Sequence, residues 1–366
     1  MSRTAFPVLS PERRERMLEP PSGPVRLVID TDAANEIDDQ FAIAWALLSQ
    51  DAFQIEGTLA EPFSFAHHRE PLIAAFDELQ RHGESDDGPT VEAIVGSYGR
   101  WAQNLVAAGT DPRDVSFVLP DVGMALSYQE AIKVHELLDV EPSGAVFRGS
   151  PGYLPDPDTP LPSDAAAHLV ERAMADDERP LYVAAIGAVT NIASAILLEP
   201  RIIERIVVVW TSSYPSWSPL SSRPSLNLVQ DLPASRLLFD SGVPLVYLPG
   251  FYIGAQLTIS LPEMERWVKG RGRIGDYLYH LYTHNPIHAQ RGITDQADRT
   301  WVMWDLICFA WLMDPGWVPS RLTPSPVLDE DLFWQHPGGR HSIREAVGID
   351  RDEIFRDFYR KLEHAP

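Results

Sequence analysis

Short apolar segments alternate along this chain with segments of helical periodicity, and this alternation limits the fold more than any other feature. The apolar segments are rich in β-branched residues and almost continuously hydrophobic; they span residues 25–30, 53–60, 91–96, 181–187, 206–210 and 243–249. Strands that are covered on both faces have this composition. Helical periodicity is found between them, at 38–49, 69–82, 128–139 and 163–176. The pattern predicts an α/β fold with an open, mostly parallel twisted sheet flanked by helices.

The two ends of the chain differ from this alternating region. Residues 1–24 are rich in Pro, Arg and Glu, and we expect an N-terminal extension with one short helix. The final third is more helical, and residues 293–314 are expected to form one long helical element. With 366 residues and no long linker, residues 25–366 are predicted to form a single domain.

Charge and cysteine content exclude several classes of partner. The formal net charge is −22 at pH 7, which disfavours binding to nucleic-acid polymers and to anionic membrane surfaces. Cys308 is the only cysteine, so no intramolecular disulfide is possible, and a small buried apolar role is expected for it. No signal-peptide pattern and no apolar run near the ~20 residues of a membrane-spanning helix is found, so we expect a soluble cytoplasmic protein.

A cluster of carboxylates follows the first predicted strand. Asp30 and Asp32 end that strand, Glu36 lies in the next loop, and Asp38 and Asp39 open the following helix. Capping of the helix explains the last two alone, because carboxylates in a first turn interact with the helix dipole. All five at one turn would repel one another strongly without a cation. The segment therefore predicts a hard divalent cation bound by carboxylate oxygens.

A rival metal chemistry starts from the same pair of aspartates. Phosphotransferases of the haloacid dehalogenase class also carry two aspartates, two residues apart, at the end of the first strand. That class has Thr or Val two residues after the second aspartate, where this chain has Ala34. No second acidic pair after a glycine follows downstream, which disfavours this alternative.

The carboxylate segment, read together with later ones, resembles the inosine-uridine nucleoside hydrolase family. DTDAANEIDDQFAI resembles the family's opening Asp-Thr-Asp-Pro-Gly-x-Asp-Asp-Ala signature, and the loop at 148–173 also has the character of the family. Further similar segments follow in family order: IGAVTNIASA at 186–195, SLNLVQDLPAS at 225–235 and WDLICFAWLMDP at 304–315. The resemblance covers residues from about 25 to about 315. It implies a nucleoside hydrolase-like fold and hydrolysis of an N-glycosidic bond.

The resemblance also implies a calcium ion and its ligands. These are Asp32, Asp39, the main-chain carbonyl of Thr190, and Asp305. Asp32, touching a metal-bound water, would be the general base. Carboxylates around the sugar would stabilise the positive charge that develops as the bond to the base breaks.

Two further positions match residues that bind the ribose diol, namely Asp38 and Asn227, and Asp30 is expected to orient the neighbouring ligands from behind. Simpler roles remain open for some of these residues. Thr190 is also suited to capping a helix, and Asn227 to bonding a loop backbone. Asp305 stands in an otherwise apolar stretch, where a lone carboxylate is costly unless it is paired or bound to a metal.

The chain departs from the family pattern on the side away from the metal. Ser225 replaces the glutamate that holds the 5′-hydroxyl, and Trp304 replaces a histidine that donates a proton to the leaving base in some members. The first loop is longer and introduces Glu36, a candidate for substrate contact. Tyr282 and His284 are candidates for a replacement acid or for contact with the base, although histidines in such a loop are more often ordinary surface residues. Trp304 is a candidate for contact with a planar base.

Three hypotheses for function follow. The first is calcium-dependent hydrolysis of a nucleoside or nucleoside-like ribosyl substrate. The second is a calcium-bound module that binds ribose or a nucleoside without turnover. The third is hydrolysis of a modified, non-standard N-glycoside. The resemblance also implies a homo-oligomer, either a dimer or a tetramer.

Overall fold

The computed structural model describes residues 6–82 and 98–366, and within these ranges the predicted alternation of strands and helices is present. The strands are β1 Val25–Thr31, β2 Phe53–Ala60, β3 Val146–Arg148, β4 Leu181–Ala185, β5 Ile206–Ser212, β6 Leu245–Pro249, β7 Thr258–Ile259, β8 Trp301–Val302, β9 Ser320–Pro324, β10 Val327–Leu328, β11 Trp334–Gln335 and β12 Ser342–Ala346. The predicted strand at 91–96 lies outside the described residues.

Helices connect most of these strands. They are α1 Pro11–Leu18, α2 Asp38–Leu47, α3 Arg69–His82, α4 Gly99–Ala107, α5 Pro120–Leu137, α6 Asp164–Ala173, α7 Thr190–Leu198, α8 Leu226–Val229, α9 Leu232–Asp240, α10 Leu261–Glu263, α11 Gly272–Thr283, α12 Pro286–Arg291, α13 Leu306–Met313 and α14 Arg351–Leu362. Short 3₁₀ turns lie at Ala66–His68, Pro200–Glu204, Gly254–Gln256 and Gln296–Asp298, and a π-helical turn at Met264–Val268 continues α10.

The main sheet of the described part of the chain has the strand order β3-β2-β1-β4-β5-β6-β12-β9. All neighbouring pairs in it are parallel except β12 with β9. The chain moves outward from β1 to β3 and then returns to β4 on the other side of β1. In sheets of this type, ligands bind beyond the carboxyl ends of the strands at such a reversal of direction. The fold class predicted from the sequence is confirmed.

Both faces of the sheet are buried. Successive side chains of each strand point to opposite faces and so enter two different cores. On β1, Leu27 and Ile29 belong to one core, while Val28 belongs to the other. The first core is closed by apolar residues of α2, α13 and α14, and the second by those of α6, α7 and α9. This arrangement explains why the strands read as continuously apolar sequence.

The predicted long helix at 293–314 is wrong. Residues 301–302 form β8, which pairs with β7, and the backbone NH of Met303 donates to the carbonyl of Leu257 at 2.8 Å. Because this backbone bonds to another segment, it cannot continue a helical ladder, and α13 begins only at Leu306. Asp305 therefore lies at the N-cap of a short helix rather than on a helix face.

The N-terminal helix α1 packs against the domain. Leu18 is fully buried, and its carbonyl accepts a hydrogen bond from Arg344 Nε of β12 at 2.5 Å. Arg13 Nη2 donates to the carbonyl of Glu204 at 2.8 Å. The division into an extension at 1–24 and a domain at 25–366 stays a prediction. No described helix is long and apolar enough to span a membrane.

Candidate functional site

A cavity of about 450 Å³ opens beyond the carboxyl ends of β1, β4, β5 and β6, at the place where the chain reverses direction across the sheet. One side, which we call the carboxylate wall, consists of Asp32, Glu36, Asp38, Asp39 and Asp305. A second group of lining residues, which we call the hydroxyl wall, consists of Thr211, Ser212, Ser213 and Ser225.

The carboxylate wall is built by a loop that leaves β1 and returns into α2. Asp32 follows the last residue of β1, and Asp38 and Asp39 form the first turn of α2. Between them, Ala34 has a φ of 74°, a left-handed conformation that alanine rarely adopts. Backbone strain of this kind persists where the surrounding structure enforces it, and it is frequent at functional sites.

Three of these carboxylates lie close enough to hold one ion. Asp38, Asp39 and Asp305 each offer an oxygen, and these oxygens lie within 4.8 Å of one another. Two oxygens that bind one calcium at about 2.3–2.6 Å are at most about 5 Å apart, so the spacing fits a hard divalent cation. All three side chains are almost completely buried. Asp32 lines the same cavity, although it is not part of this group of three.

Burial and mutual repulsion raise the pKa values of the aspartates of the wall. Burial raises the pKa of Asp32 to about 7, and the charge of Glu36 contributes to this increase. Burial also holds the pKa of Asp39 well above its usual range, with further increases from the charges of Asp32 and Asp38. The pKa of Asp305 is raised in the same way. A bound cation would relieve both causes, because it neutralises the group and replaces the lost hydration.

Neutral neighbours orient the aspartates without neutralising them. Asn35 Nδ2 donates to Asp32 Oδ2 at 2.9 Å, and Thr31 Oγ1 donates to Asp39 Oδ1 at 2.5 Å. Gly187 is required beside Asp32, since a Cβ at this position would lie 2.9 Å from Asp32 Cγ. The side chains are therefore fixed in position while their charge is left available.

Asp30 lies beneath the wall rather than in it. It is fully buried, and its Oδ1 accepts a hydrogen bond from Asn191 Nδ2 at 3.1 Å. It also contacts the carboxyl group of Glu61, which accepts a bond from the backbone NH of Asn191 at 2.7 Å. The interaction of the two carboxyl groups depends on the pairing of β1 with β2, which no local motif reveals.

Thr190 is not among the residues that line the cavity, and the role of its main-chain carbonyl as a metal ligand stays a prediction. Thr190 is the first residue of α7, and its hydroxyl donates to Asp231 Oδ2 at 2.7 Å beneath the site. Ile186, at the end of β4, lines the cavity instead. Its main-chain carbonyl lies 3.4 Å from Asn227 Nδ2. The alternative role of Thr190 as a helix cap is wrong, because Val189 is the N-cap residue of α7 and no side chain caps this helix.

Asn227 lies between the two walls. Its Nδ2 is 3.4 Å from the carbonyls of Ile186 and Thr211, which end neighbouring strands. On the hydroxyl wall, Ser225 Oγ accepts a hydrogen bond from the backbone NH of Ser213 at 2.9 Å and lies 3.0 Å from Ser212 Oγ. Since only one of the two hydroxyls donates to the other, one O–H of this pair is free to bond a ligand.

Glu36 lines the cavity and forms an ion pair, with Arg291 Nη2 at 3.1 Å from Glu36 Oε1. Arg291 ends α12, 255 residues away in sequence, and is the cationic side chain among the described lining residues. Sequence reasoning missed it because nothing in the local sequence relates α12 to the first loop.

Aromatic side chains form the remaining lining. Trp304 lies edge-on to Phe251, with ring centroids 5.6 Å apart, and Trp301 lines the cavity nearby. The candidate role of Trp304 as a contact for a planar group is compatible with this position. Phe251 and Trp301 were missed, since isolated aromatic residues in loops carry no signal of their own.

Tyr282 and His284 are not among the residues that line the cavity, and their candidate role in substrate binding stays a prediction. Tyr282 is buried, and its hydroxyl donates to the carbonyls of Ile259 and Arg299, at 3.1 and 3.2 Å. His284 is exposed and stacks on His280 with ring centroids 4.4 Å apart. His284 follows directly after α11, which ends at Thr283.

A profile of one protein family matches most of this sequence. The family is described as inosine-uridine preferring nucleoside hydrolase, and the match covers residues 82–356. Asn227 and Asp305 lie within the matched range, whereas the carboxylates at 30–39 precede it.

Individual relatives are more distant. Pyrimidine-specific ribonucleoside hydrolases RihA from several strains of Escherichia coli are 25% identical over 118 residues, which are 31% of this chain. The match therefore spans only 37% of the length of these relatives.

Solved structures are similar over nearly the whole chain. An inosine-guanosine nucleoside hydrolase has a TM-score of 0.60 at 14% identity, covering 94% of this chain and 99% of that chain. The plant nucleoside hydrolase PpNRh1 has a TM-score of 0.58 at 15% identity, with coverage of 94% and 100%. A purine-preferring ribonucleoside hydrolase from Gardnerella vaginalis has a TM-score of 0.56 at 17% identity, with coverage of 93% and 98%. At these identities the similarity concerns the fold.

Proposed function

This chain belongs to the family of inosine-uridine preferring nucleoside hydrolases, and we propose that it hydrolyses the N-glycosidic bond of a nucleoside or a nucleoside-like ribosyl substrate. The observation that carries the proposal is the cluster of buried aspartates at the reversal point of the sheet. Asp38, Asp39 and Asp305 lie within 4.8 Å of one another with no cationic side chain among them. A fold does not retain such a costly arrangement without a ligand that compensates for it.

The proposed cofactor is calcium, held by Asp32, Asp39 and Asp305 together with the main-chain carbonyl of Ile186 in place of Thr190. Asp39 and Asp305 belong both to the ligands implied by the resemblance and to the compact group of three. All four residues line one cavity, and each offers an oxygen, the donor that calcium prefers. When bound, the cation would lower the pKa of a water ligand and bind vicinal hydroxyls.

Asp32 is proposed as the general base. Its carboxylate lines the cavity, and Asn35 fixes its orientation through Oδ2. With its charge compensated by a cation, the group is ionised and accepts a proton from the attacking water. Asp38 and Asn227, on either side of this position, are proposed to accept and donate hydrogen bonds to the ribose diol. The concentrated negative charge of the wall favours the oxocarbenium-like transition state.

The departing base is proposed to occupy the part of the cavity lined by Trp304 and Phe251. The two rings lie edge-to-face, so a base would stack on the face of one ring and meet the edge of the other. Glu36 and Arg291 supply polar groups in the same cavity. The curated relatives are named for pyrimidine nucleosides and two of the similar structures for purine nucleosides, so the base is left open.

Release of reducing sugar from a panel of purine and pyrimidine nucleosides tests the proposal. We expect release with added calcium, loss with a chelator, and a decrease of at least about 100-fold in Asp32→Asn. The variants Asp32→Asn and Asp38→Asn, compared by calorimetric titration with calcium, separate ligand from diol-binding roles. Asp32→Asn should weaken calcium binding, whereas Asp38→Asn should raise the KM and leave calcium binding nearly intact.

Two other outcomes correspond to the alternative functions. Nucleoside binding without sugar release, at any calcium concentration, would replace the hydrolase with a binding module. Release only from nucleosides with substituted bases or sugars would point to a non-standard N-glycoside. Calcium binding lost in Asp38→Asn but retained in Asp32→Asn would exchange the roles proposed for these two residues.

A further inference from the structure

A series of aromatic rings leads from the cavity to the protein surface. Phe251, which lines the cavity, lies 4.6 Å from Tyr214 between ring centroids. Tyr214 lies 5.2 Å from Tyr252, and Tyr252 stacks on Trp217 at 6.1 Å with an interplanar angle of 25°. Each ring therefore contacts the next, from the proposed base-binding part of the cavity to solvent.

The two outer rings, Trp217 and Tyr252, are unusually exposed for large aromatic side chains. Trp217 is 54% exposed and Tyr252 45% exposed. We call this pair the outer platform. Scattered exposed apolar residues need no explanation, but two stacked rings that are joined through Tyr214 to a ring of the cavity lining form a contiguous aromatic surface suited to a ligand.

The backbone that carries the outer platform is anchored. Just before Trp217, the backbone NH of Ser216 donates to Glu345 Oε1 at 2.6 Å, and Ser216 Oγ donates to Glu345 Oε2 at 2.8 Å. His336 Nε2 lies 2.8 Å from the carbonyl of Ser216. Glu345 is fully buried. Trp217 is thus displayed by a fixed loop, which lowers the entropic cost of binding a ligand.

Tyr252 is displayed at a conformational cost. Its φ is 71°, in the left-handed region that favours glycine. The glycine of this segment is Gly250, two residues earlier, and the left-handed position itself is occupied by tyrosine. A glycine at 252 would make the same turn without strain but would provide no ring. Strained backbone of this kind at the margin of a site is typical of functional positions.

We propose that the outer platform binds a planar ring attached to the leaving base, so that the preferred substrate is an N-riboside whose base carries an aromatic extension. The proposal rests on the proposed function, since it places the base beside Phe251 and Trp304. An uncharged aromatic group is the matching chemistry, because stacking supplies the attraction and the platform rings carry no charge. A stacked ring of this type contributes roughly 1–3 kcal/mol to binding, which is about 5- to 150-fold in affinity.

The test compares adenosine with adenosine that carries a benzyl group on its exocyclic amine. We expect the wild-type protein to prefer the benzylated substrate by about 10-fold in kcat/KM. Trp217→Ala should abolish this preference and leave the rate with adenosine unchanged. Tyr252→Gly should act in the same direction, and it should not lower the melting temperature because glycine relieves the left-handed strain.

Trp267→Ala is the matched control. Trp267 is also exposed, at 37%, and stacks on Tyr359 with centroids 5.8 Å apart, but the rings that Tyr359 contacts, Phe355 and Phe358, do not line the cavity. This variant should keep the preference. An equal decrease with both substrates in Trp217→Ala, or no preference in the wild-type protein, would overturn the proposal. A change in oligomeric state by light scattering, without a change in preference, would also overturn it and assign the rings to contacts between copies.

Calorimetric binding of the same two nucleosides separates this proposal from the proposed function. If neither nucleoside is hydrolysed, but benzyladenosine binds more tightly than adenosine in the wild-type protein and not in Trp217→Ala, the platform is supported and the hydrolase proposal fails. If both are hydrolysed with no difference in affinity, the platform fails and the hydrolase stands.

Discussion

The two walls of the cavity use opposite strategies for burying polar groups. On the hydroxyl wall, Ser225 bonds to the backbone NH of Ser213 and to Ser212, so its polarity is satisfied by the protein itself. On the carboxylate wall, Asp38, Asp39 and Asp305 approach one another and remain uncompensated by any cationic neighbour in the group. The hydroxyl wall is neutral and partly satisfied by the protein, although Thr211 Oγ1 and Ser213 Oγ are buried there without a hydrogen-bond partner. The three aspartates instead bring like charges together. On the proposed function, the carboxylate wall would hold the cation, and the free hydroxyls of the other wall would contact the substrate.

The largest expected effect concerns Asp39. Asp39→Asn removes one of the clustered charges but keeps an acceptor for Thr31 Oγ1. Activity should decrease by at least about 100-fold, because a charged calcium ligand is lost. The metal-free protein should at the same time have a higher melting temperature than the metal-free wild-type protein, since a repulsive buried charge is removed. Sugar release and thermal denaturation measure the two effects.

Asp231→Asn is the control for that variant. Asp231 is equally buried, but it accepts hydrogen bonds from Thr190 Oγ1 and from the backbone NH groups of Leu154 and Ala234, and it does not line the cavity. The variant Asp231→Asn should lower the melting temperature and leave the response to calcium unchanged. If Asp39→Asn and Asp231→Asn change the melting temperature and the calcium response in the same way, the carboxylate wall does not differ from other buried aspartates.

The next effect concerns the dependence of stability on calcium and pH. Because the pKa of Asp32 is raised to about 7 in the metal-free fold, the folded state holds protons that the unfolded chain has lost. The contribution of Asp32 to the free energy of unfolding of the metal-free protein is therefore fully present below about pH 4. It is lost as the pH rises through about 7. Calcium competes with these protons for the carboxylates.

We accordingly expect saturating calcium to raise the melting temperature by about 5 °C at pH 7.5 and by much less at pH 5.5. Differential scanning fluorimetry of wild type and Asp39→Asn at both pH values measures this. An equal calcium effect at the two pH values would mean that the cation binds elsewhere than at the carboxylate wall.

The smallest effect on activity is expected from a substitution on the hydroxyl wall. Ser225→Ala leaves the backbone NH of Ser213 without its acceptor and removes one of the two hydroxyls of the Ser212–Ser225 pair. Loss of one neutral hydrogen bond to substrate should change kcat/KM by at most about 10-fold. The affinity for calcium should not change, which calorimetry would establish. A decrease in calcium affinity would show that the two walls are coupled rather than independent.

Much of the fold could be predicted from local sequence. The strands β1, β2, β4, β5 and β6 lie where continuous apolar, β-branched runs predicted them, because burial on both faces leaves a direct trace in composition. The break in the segment 293–314 left no such trace. There, pairing of β8 with β7 overrides a helical pattern, and a partner strand more than 40 residues away cannot be read from local periodicity.

The site divides in the same way between sequence and tertiary structure. The sequence by itself determined the carboxylates from Asp30 to Asp39, since an acidic strand-to-helix turn needs no distant residue to be recognised. It also indicated Asp305, because a carboxylate in an apolar stretch requires a partner. Tertiary structure alone decided that Ile186 rather than Thr190 faces the cavity, that Arg291 reaches Glu36, and that Tyr282 and His284 lie away from it. The physical reason is that charge and hydrophobicity are properties of individual residues, whereas the direction of a side chain and its distant partners depend on strand register and on where each helix ends.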